Sequence, residues 1–148
     1  MEERSIIRKG PYQFVCKRHA LAAGGLRHIV KFDKLPVMRE VAWVKAARKE
    51  FLTFPQAVQT RMKDALAIAA FGQKADIVKP LKGFESGVFE IALPYRKDAY
   101  RAVYAVQLGD AIWVLHAFQK KSTQGIKTQR RDIEVVRARL KQLRETGA

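Results

Sequence analysis

The fold is decided by residues 87–118, GVFEIALPYRKDAYRAVYAVQLGDAIWVLHAF. Val, Ile, Tyr, Phe and Trp, the residues enriched in strands, dominate three runs of this stretch, at 87–93, 100–107 and 111–118. The breaks at 94–98 and 108–110 are short and turn-like. Because such short connections join antiparallel neighbours, the stretch predicts a three-stranded antiparallel meander.

A strand and two helices are predicted before the meander. Apolar alternation over 39–44 indicates a short strand, and we expect its Trp43 in the core. Apolar residues at helical spacing over 45–54 predict a helix. Pro55 suits the first turn of a second helix, which ends at Gly72. This helix carries an apolar stripe of Val58, Met62, Ala65, Leu66, Ala69 and Ala70.

A last helix is predicted after a polar loop at 120–127, since Ile133, Val136, Leu140 and Leu143 recur at helical spacing. The predicted fold class is therefore α+β: an antiparallel sheet of an N-terminal strand plus the meander, packed with two N-terminal helices and a C-terminal helix. Basic residues lie near and along the last helix: Lys127, Arg130, Arg131, Arg137, Arg139, Lys141 and Arg144.

Residues 1–37 differ from the rest of the chain. They contain Gly10-Pro11, Gly24-Gly25 and Leu35-Pro36, and their apolar residues follow neither a helical nor a strand period. We predict a poorly ordered extension over 1–37 and a folded domain over 38–148. A further hypothesis is that Met38 is the natural start, because the regular pattern begins there.

The chain is strongly basic, with 29 Lys and Arg against 14 Asp and Glu. The excess does not reside in the extension, because residues 38–148 retain 21 basic and 11 acidic side chains. A charge of this size repels itself unless a partner neutralises it. It therefore predicts binding to nucleic acid, to anionic lipid or to an acidic protein.

Several classes of protein are disfavoured. Cys16 is the single cysteine, so the chain cannot form an internal disulfide and lacks ligands for a cysteine-based zinc site. No apolar run approaches the roughly 18–20 residues of a membrane span, so we expect a cytoplasmic protein with no membrane partner. The sequence contains no Gly-rich phosphate loop, HExxH or serine-elbow motif. No metal or other cofactor is predicted.

Arg101 is the first candidate for a functional residue. It lies within a predicted strand and shares a face with Val103 and Ala105. It is either a surface or salt-bridged arginine or a fixed guanidinium that binds a phosphate through two parallel hydrogen bonds. If Arg101 faces solvent, its removal should hardly change stability.

The end of the last predicted strand also offers candidates. His116 could transfer protons near neutral pH, and Phe118 could stack a base. Alternatively, both belong to the packed face of the sheet together with Ile112 and Val114. The remaining aromatic residues could form a stacking platform, but we expect at least half of them in the core: Tyr95, Tyr100, Tyr104 and Trp113.

Charged residues complete the candidate set. Lys120 and Lys121 could neutralise phosphates or simply mark a solvated strand exit, and Lys82 lies beside a flexible glycine. Glu90 alternates with apolar neighbours as an ordinary outward strand residue does. A carboxylate near Arg101 on an adjacent strand could instead serve as a base.

Together these segments resemble a known family. The pairing of AYRAVY at 99–104 with VLHAFQKKS at 114–122 is its most specific part. Support comes from VAWV at 41–44, LKG at 81–83 and VFEI at 88–91, and from Phe54-Pro55. The run from Met38 to Leu143 resembles the HigB branch of the RelE-like type II toxins, also described as phage-derived toxins. Such toxins begin near the position of Met38.

The resemblance implies a RelE-like α+β domain that cleaves mRNA in the ribosomal A site and arrests translation. A helix-turn-helix antitoxin, similar to HigA, would bind and inhibit it. In this superfamily the ribose 2′-hydroxyl attacks the adjacent phosphate and leaves a cyclic phosphate and a 5′-hydroxyl. This endoribonuclease reaction needs a base, a cation and an acid, and it needs no metal.

The resemblance also assigns residues. Arg101 matches the strand arginine that binds phosphate in RelE-like toxins, and Lys121 falls where they carry a strand-exit arginine. Glu90 and Ala92 stand where RelE has two lysines, so the identity of the general base stays open between Glu90 and His116. The implied RNA contacts are Lys82, Lys120 and Phe118.

Two other functions remain open. The domain could be a basic RNA- or DNA-binding module without catalysis, in which case its affinity would depend on salt and no RNA would be cut. It could also be an inactive toxin relative whose basic face binds an acidic segment of a helix-turn-helix antitoxin.

Overall fold

The computed structural model describes residues 38–121 and 128–147. The predicted extension over 1–37 lies outside the described residues. The elements, in chain order, are β1 (Val41–Trp43), α1 (Lys45–Phe51), α2 (Gln56–Ala70), β2 (Val78–Pro80), β3 (Val88–Tyr95), β4 (Asp98–Leu108), β5 (Ala111–Lys121) and α3 (Arg130–Glu145).

The strands form one five-stranded sheet in the order β1-β5-β4-β3-β2. The α+β class and the meander of β3, β4 and β5 are confirmed. The prediction of an antiparallel sheet is wrong in one respect, because β1 runs parallel to β5. It also missed β2, a three-residue edge strand paired with β3. Three residues ending in proline are too few to show a strand period.

The hairpin between β3 and β4 is tighter than predicted. Pairing continues to Tyr95 and Asp98, and Pro94 pairs with Ala99 inside the ladder. Arg96 takes a left-handed conformation with φ 57°. Because a two-residue hairpin turn needs positive φ, this conformation allows both strands to run to the turn.

The sheet has helices on both faces. Because side chains alternate along a strand, those on one face of the sheet pack with α1 and α2 in one core cluster. Those on the other face pack with α3 in a second cluster. Ile91, Tyr104 and Ile112 belong to the first cluster, and Val103 and Leu115 to the second. The three predicted helices are confirmed, although α1 ends at Phe51 and a turn separates it from α2.

The aromatic residues mainly build these cores. Trp43 is partly buried, with its ring 4.8 Å from that of Phe51. Tyr100 and Tyr104 are buried, and burial raises the pKa of Tyr104 to about 12. The partly buried Tyr95 and Trp113 pack against the two clusters. The expectation that at least half of the meander aromatics pack inside is confirmed.

Arg39 fastens the segment before β1 to the hairpin between β4 and β5. Its Nη2 donates to the carbonyl oxygens of Val106, Gly109 and Ala111 at 2.6, 3.1 and 3.1 Å. Its Nε donates to the carbonyl oxygen of Asp110 at 3.1 Å. The planar guanidinium thus satisfies backbone acceptors that the turn would otherwise leave to water.

Candidate functional site

One face of the sheet, the face covered by α3, collects most of the candidate residues. Arg101 pairs with Phe118, and Glu90 lies opposite Val103, which in turn pairs with His116. Val103 and Phe118 both pack in the α3 cluster. Since side chains alternate along a strand, Lys120 falls on the same face as Phe118. We call this surface the α3 face.

A β-bulge in β5 brings His116 to the α3 face. Val103 pairs with His116, whereas the next residue, Tyr104, pairs with Val114. Leu115 is therefore the extra residue of the bulge. Bulges redirect side chains and are frequent beside functional sites.

The bulge corrects one interpretation of the sequence. His116 and Phe118 would share a face with Ile112 and Val114 in an uninterrupted strand. Ile112 and Val114 instead pack in the cluster of α1 and α2, while Phe118 packs in that of α3. The extra residue moves the last part of β5 to the opposite face.

Arg101 and Glu90 form a buried ion pair on the α3 face. Arg101 Nη1 donates to Glu90 Oε1 at 2.7 Å, and both residues are 8% exposed. Thr128 Oγ1 donates to the same carboxylate oxygen at 2.6 Å and accepts from Arg101 Nη1 at 3.1 Å. Arg101 is thus salt-bridged and does not face solvent. The interpretation of Glu90 as an outward residue is wrong, because its side chain is buried and bound to Arg101 and Thr128.

His116 is held between two residues of α3. Arg139 Nη1 lies 3.1 Å from His116 Nδ1 and donates at 2.8 Å to the carbonyl oxygen of Leu115. An arginine carries donors only, so Nδ1 accepts. Nε2 then carries the proton and donates to Asp132 Oδ1 at 3.1 Å. The partners assign a neutral ring with both nitrogens engaged.

The surroundings of His116 act on its pKa in opposite directions. Burial lowers the pKa of His116 below its ordinary value, and the positive charge of Arg139 contributes to the decrease. The hydrogen bond and the charge of Asp132 raise the pKa, as does the charge of Glu50 on α1. Burial is the largest of these effects, so the neutral ring is favoured.

A cleft of about 370 Å³ opens beside this network, between α1, β5 and α3. The ring of Phe118 stacks on that of His116, with centroids 4.9 Å apart and planes at 25°. An aromatic stack of this kind can extend to a nucleobase. The polar lining residues are Glu50, His116, Gln119, Lys120, Gln129, Arg131, Asp132 and Arg139.

Two candidate residues lie elsewhere. Lys121, the last residue of β5, is exposed and alternates with Lys120, which directs it away from the α3 face. Lys82 is exposed in the connection between β2 and β3. Neither contributes to the lining of the cleft in the part of the chain that the structure describes.

Sequence reasoning missed two residues that complete the site, Thr128 just before α3 and Asp132 in its first turn. Arg139 was identified only as part of a basic helix face, yet it points inward to the bulge. The spacing of residues along α3 could have revealed the inward position of Asp132 and Arg139. Asp132, Val136 and Arg139 follow the i, i+4, i+7 spacing of one helix face, so two charged residues share a stripe with a buried valine.

The other basic residues of α3 remain on the surface. Arg130, Arg131 and Arg137 are exposed, and Arg144 binds Glu85 at 2.9 Å. Lys141 lies 3.8 Å from Glu145. Lys127 lies outside the described residues. Within 38–121 and 128–147, no three His, Cys, Asp or Glu side chains are placed to hold a metal ion, and no helix is long and apolar enough to cross a membrane.

The buried neutral His116 predicts a pH-dependent stability. The unfolded chain takes up a proton near pH 6.5, whereas burial resists protonation in the folded state. The free energy of unfolding should therefore fall as the pH drops below about 6.5, by at most about 1.4 kcal/mol per pH unit. Urea unfolding between pH 7.5 and 5.5 measures this decrease, which His116→Gln should reduce. An equal decrease in both proteins would contradict the prediction.

The fold and the network define a small α+β protein with a charged, partly enclosed site on one sheet face. Residues 49–141 match the family described as "Phage derived protein Gp49-like (DUF891)". The match spans more than half of the chain, which therefore belongs to this family of phage-derived proteins. A search of curated proteins and a search of solved structures gave no significant match.

Proposed function

We propose that this protein is the toxin of a type II toxin–antitoxin system of the HigB branch and cleaves mRNA on the ribosome in the cytoplasm. The observation that carries the proposal is the family match over 49–141, which includes the meander, most of the cleft lining and most of α3. This family resembles the RelE-type toxins. The net charge of +15 supports a polyanionic substrate.

The cleft supplies the groups that RNA cleavage needs. Phe118, stacked on His116, offers a flat apolar surface for a base, and Arg131 and Lys120 place positive charge beside it. The Arg101 guanidinium, which is paired with Glu90, lies close enough for its charge to act on Lys120. In this proposal Glu90 orients Arg101, while the exposed Lys121 and Lys82 contact phosphates outside the cleft. The partner that inhibits the toxin is a HigA-like helix-turn-helix antitoxin.

Induced expression of the full chain in bacteria tests the proposal. The wild-type protein should stop growth and produce new mRNA 5′ ends within translated regions. Phe118→Leu should reduce cleavage about 5- to 150-fold, because base–aromatic stacking contributes about 1–3 kcal/mol. Phe71→Leu is the matched control, since Phe71 is 49% exposed just after α2, which packs on the opposite face. Normal growth and intact mRNA with abundant folded wild-type protein would refute the proposal.

A second candidate function is a basic module that binds RNA or an acidic antitoxin segment without cutting RNA. The observation that favours it is the Arg101–Glu90 pair, in which the residue expected to bind phosphate is 8% exposed and bound to a carboxylate. Gel-shift titrations with mRNA at several salt concentrations would then show steep salt dependence with no cleavage product.

A further inference from the structure

The general base of the proposed reaction can be sought among the titratable groups of the cleft. Lys120 lies near the end of β5, on the α3 face, and contributes to the cleft lining although the whole residue is only 3% exposed. A lysine with so little exposed surface is unusual, because burial disfavours its charged form. An enclosed amine that still borders a cleft is placed for proton transfer.

Several charges face this amine. Burial is the largest influence and lowers the pKa of Lys120, and the positive charge of Arg101 on β4 lowers it further. Glu90 on β3 and Asp132 on α3 raise it, with smaller effects. The other titratable or charged groups that line the cleft come from α1, β5 and α3: Glu50, His116, Arg131 and Arg139.

The two bases expected from the sequence are both held by hydrogen bonds. The Nδ1 lone pair of His116 accepts from Arg139 at 3.1 Å, so a proton taken up there would face a guanidinium donor. Glu90 Oε1 already accepts from Arg101 and Thr128 at 2.7 and 2.6 Å.

We propose that Lys120 is the general base of the RNA cleavage, an inference that rests on the proposed function. The neutral Nζ removes the proton of the ribose 2′-hydroxyl as O2′ forms a bond to the adjacent phosphorus. The bond between phosphorus and O5′ breaks with its electron pair, and O5′ takes a proton from water. The Lys120 ammonium then returns its proton to the hydroxide left by that water. Arg101 acts through Lys120, because its positive charge favours the neutral amine.

Lys120→Arg removes proton transfer but keeps a long basic side chain, because arginine does not deprotonate in proteins. The assay is single-turnover cleavage of a short 5′-labelled mRNA on purified bacterial ribosomes by the full chain, from pH 6.5 to 9.5. We expect the wild-type rate to rise with pH over this range, as more of the Lys120 amine becomes neutral. In Lys120→Arg the rate at saturating protein should fall about 10²- to 10⁴-fold and lose this rise. The half-saturating concentration should stay within about threefold, since arginine retains a long side chain with hydrogen-bond donors at this position.

Lys63→Arg is the matched control, since Lys63 is an exposed lysine of α2 on the opposite side of the sheet, and it should behave as wild type. Lys120→Ala gives a second test that does not require arginine to fit: added methylamine should restore part of its cleavage. Wild-type rates in Lys120→Arg would overturn the inference and leave the proposed function intact, as would a flat wild-type pH profile. A folded wild-type protein that cleaves no mRNA would overturn both.

Discussion

Arg101→Ala is expected to lower the free energy of unfolding by about 3–5 kcal/mol, the usual cost of removing one partner from a buried ion pair. The substitution leaves the Glu90 carboxylate buried at 8% exposure. Among the residues that the structure describes, the Thr128 hydroxyl then still donates a hydrogen bond to it. Urea or guanidinium unfolding at pH 7 measures the loss. This expectation replaces the one from the sequence, in which a solvent-facing Arg101 could be removed with little effect.

Two controls make the Arg101 result specific. Arg61→Ala removes an exposed arginine from α2 and should change stability by less than about 0.5 kcal/mol. The double variant Arg101→Met with Glu90→Met should lose less than the sum of the two single losses, because it leaves no unpaired charge. A loss below about 1 kcal/mol for Arg101→Ala would mean that the ion pair contributes little to the fold.

Phe51→Ala is expected to cost about 3–5 kcal/mol, as for other large-to-small substitutions of core aromatics. Phe51 is 1% exposed, and its ring lies 4.8 Å from that of Trp43 and 5.7 Å from that of Phe54. It anchors α1, whose Ala46 and Glu50 form one wall of the cleft. Chemical unfolding followed by circular dichroism measures the loss.

The next residue along the chain provides the comparison for Phe51. Leu52 is 57% exposed, so Leu52→Ala should stay within about 0.5 kcal/mol of wild type. Phe51→Leu, which keeps more of the apolar volume, should lose less than Phe51→Ala. Equal losses for Phe51→Ala and Leu52→Ala would contradict the described packing of α1.

Much of the fold was predictable because it rests on local patterns. The helical spacing that ends at Ala70 and the strand-forming runs on either side of Arg101 both appear in the sequence. The parallel direction of β1 was not predictable, since long-range pairing with Ile112 and Val114 sets it. Nor was β2, which becomes a strand only because β3 offers it a partner.

The sequence identified several residues of the candidate site but not the hydrogen bonds and ion pairs between them. Glu90, Arg101, His116, Phe118 and Lys120 were all singled out, and the structure places them on one face. Their partners on α3 were not identified. In the sequence, a charged helix residue that faces solvent looks the same as one that binds a side chain of the sheet. Lys121 was singled out with them, but strand alternation places it on the other face.

The sequence by itself determined the basic charge, the three meander strands and the three helices, because composition and periodicity are properties of the chain alone. Tertiary structure alone decided that Arg101 is bound to Glu90 and that His116 lies between Asp132 and Arg139. The physical reason lies in the bulge at Leu115 and the docking of α3. One extra residue reverses which face a strand presents, and only the packed helix supplies the charges that meet it.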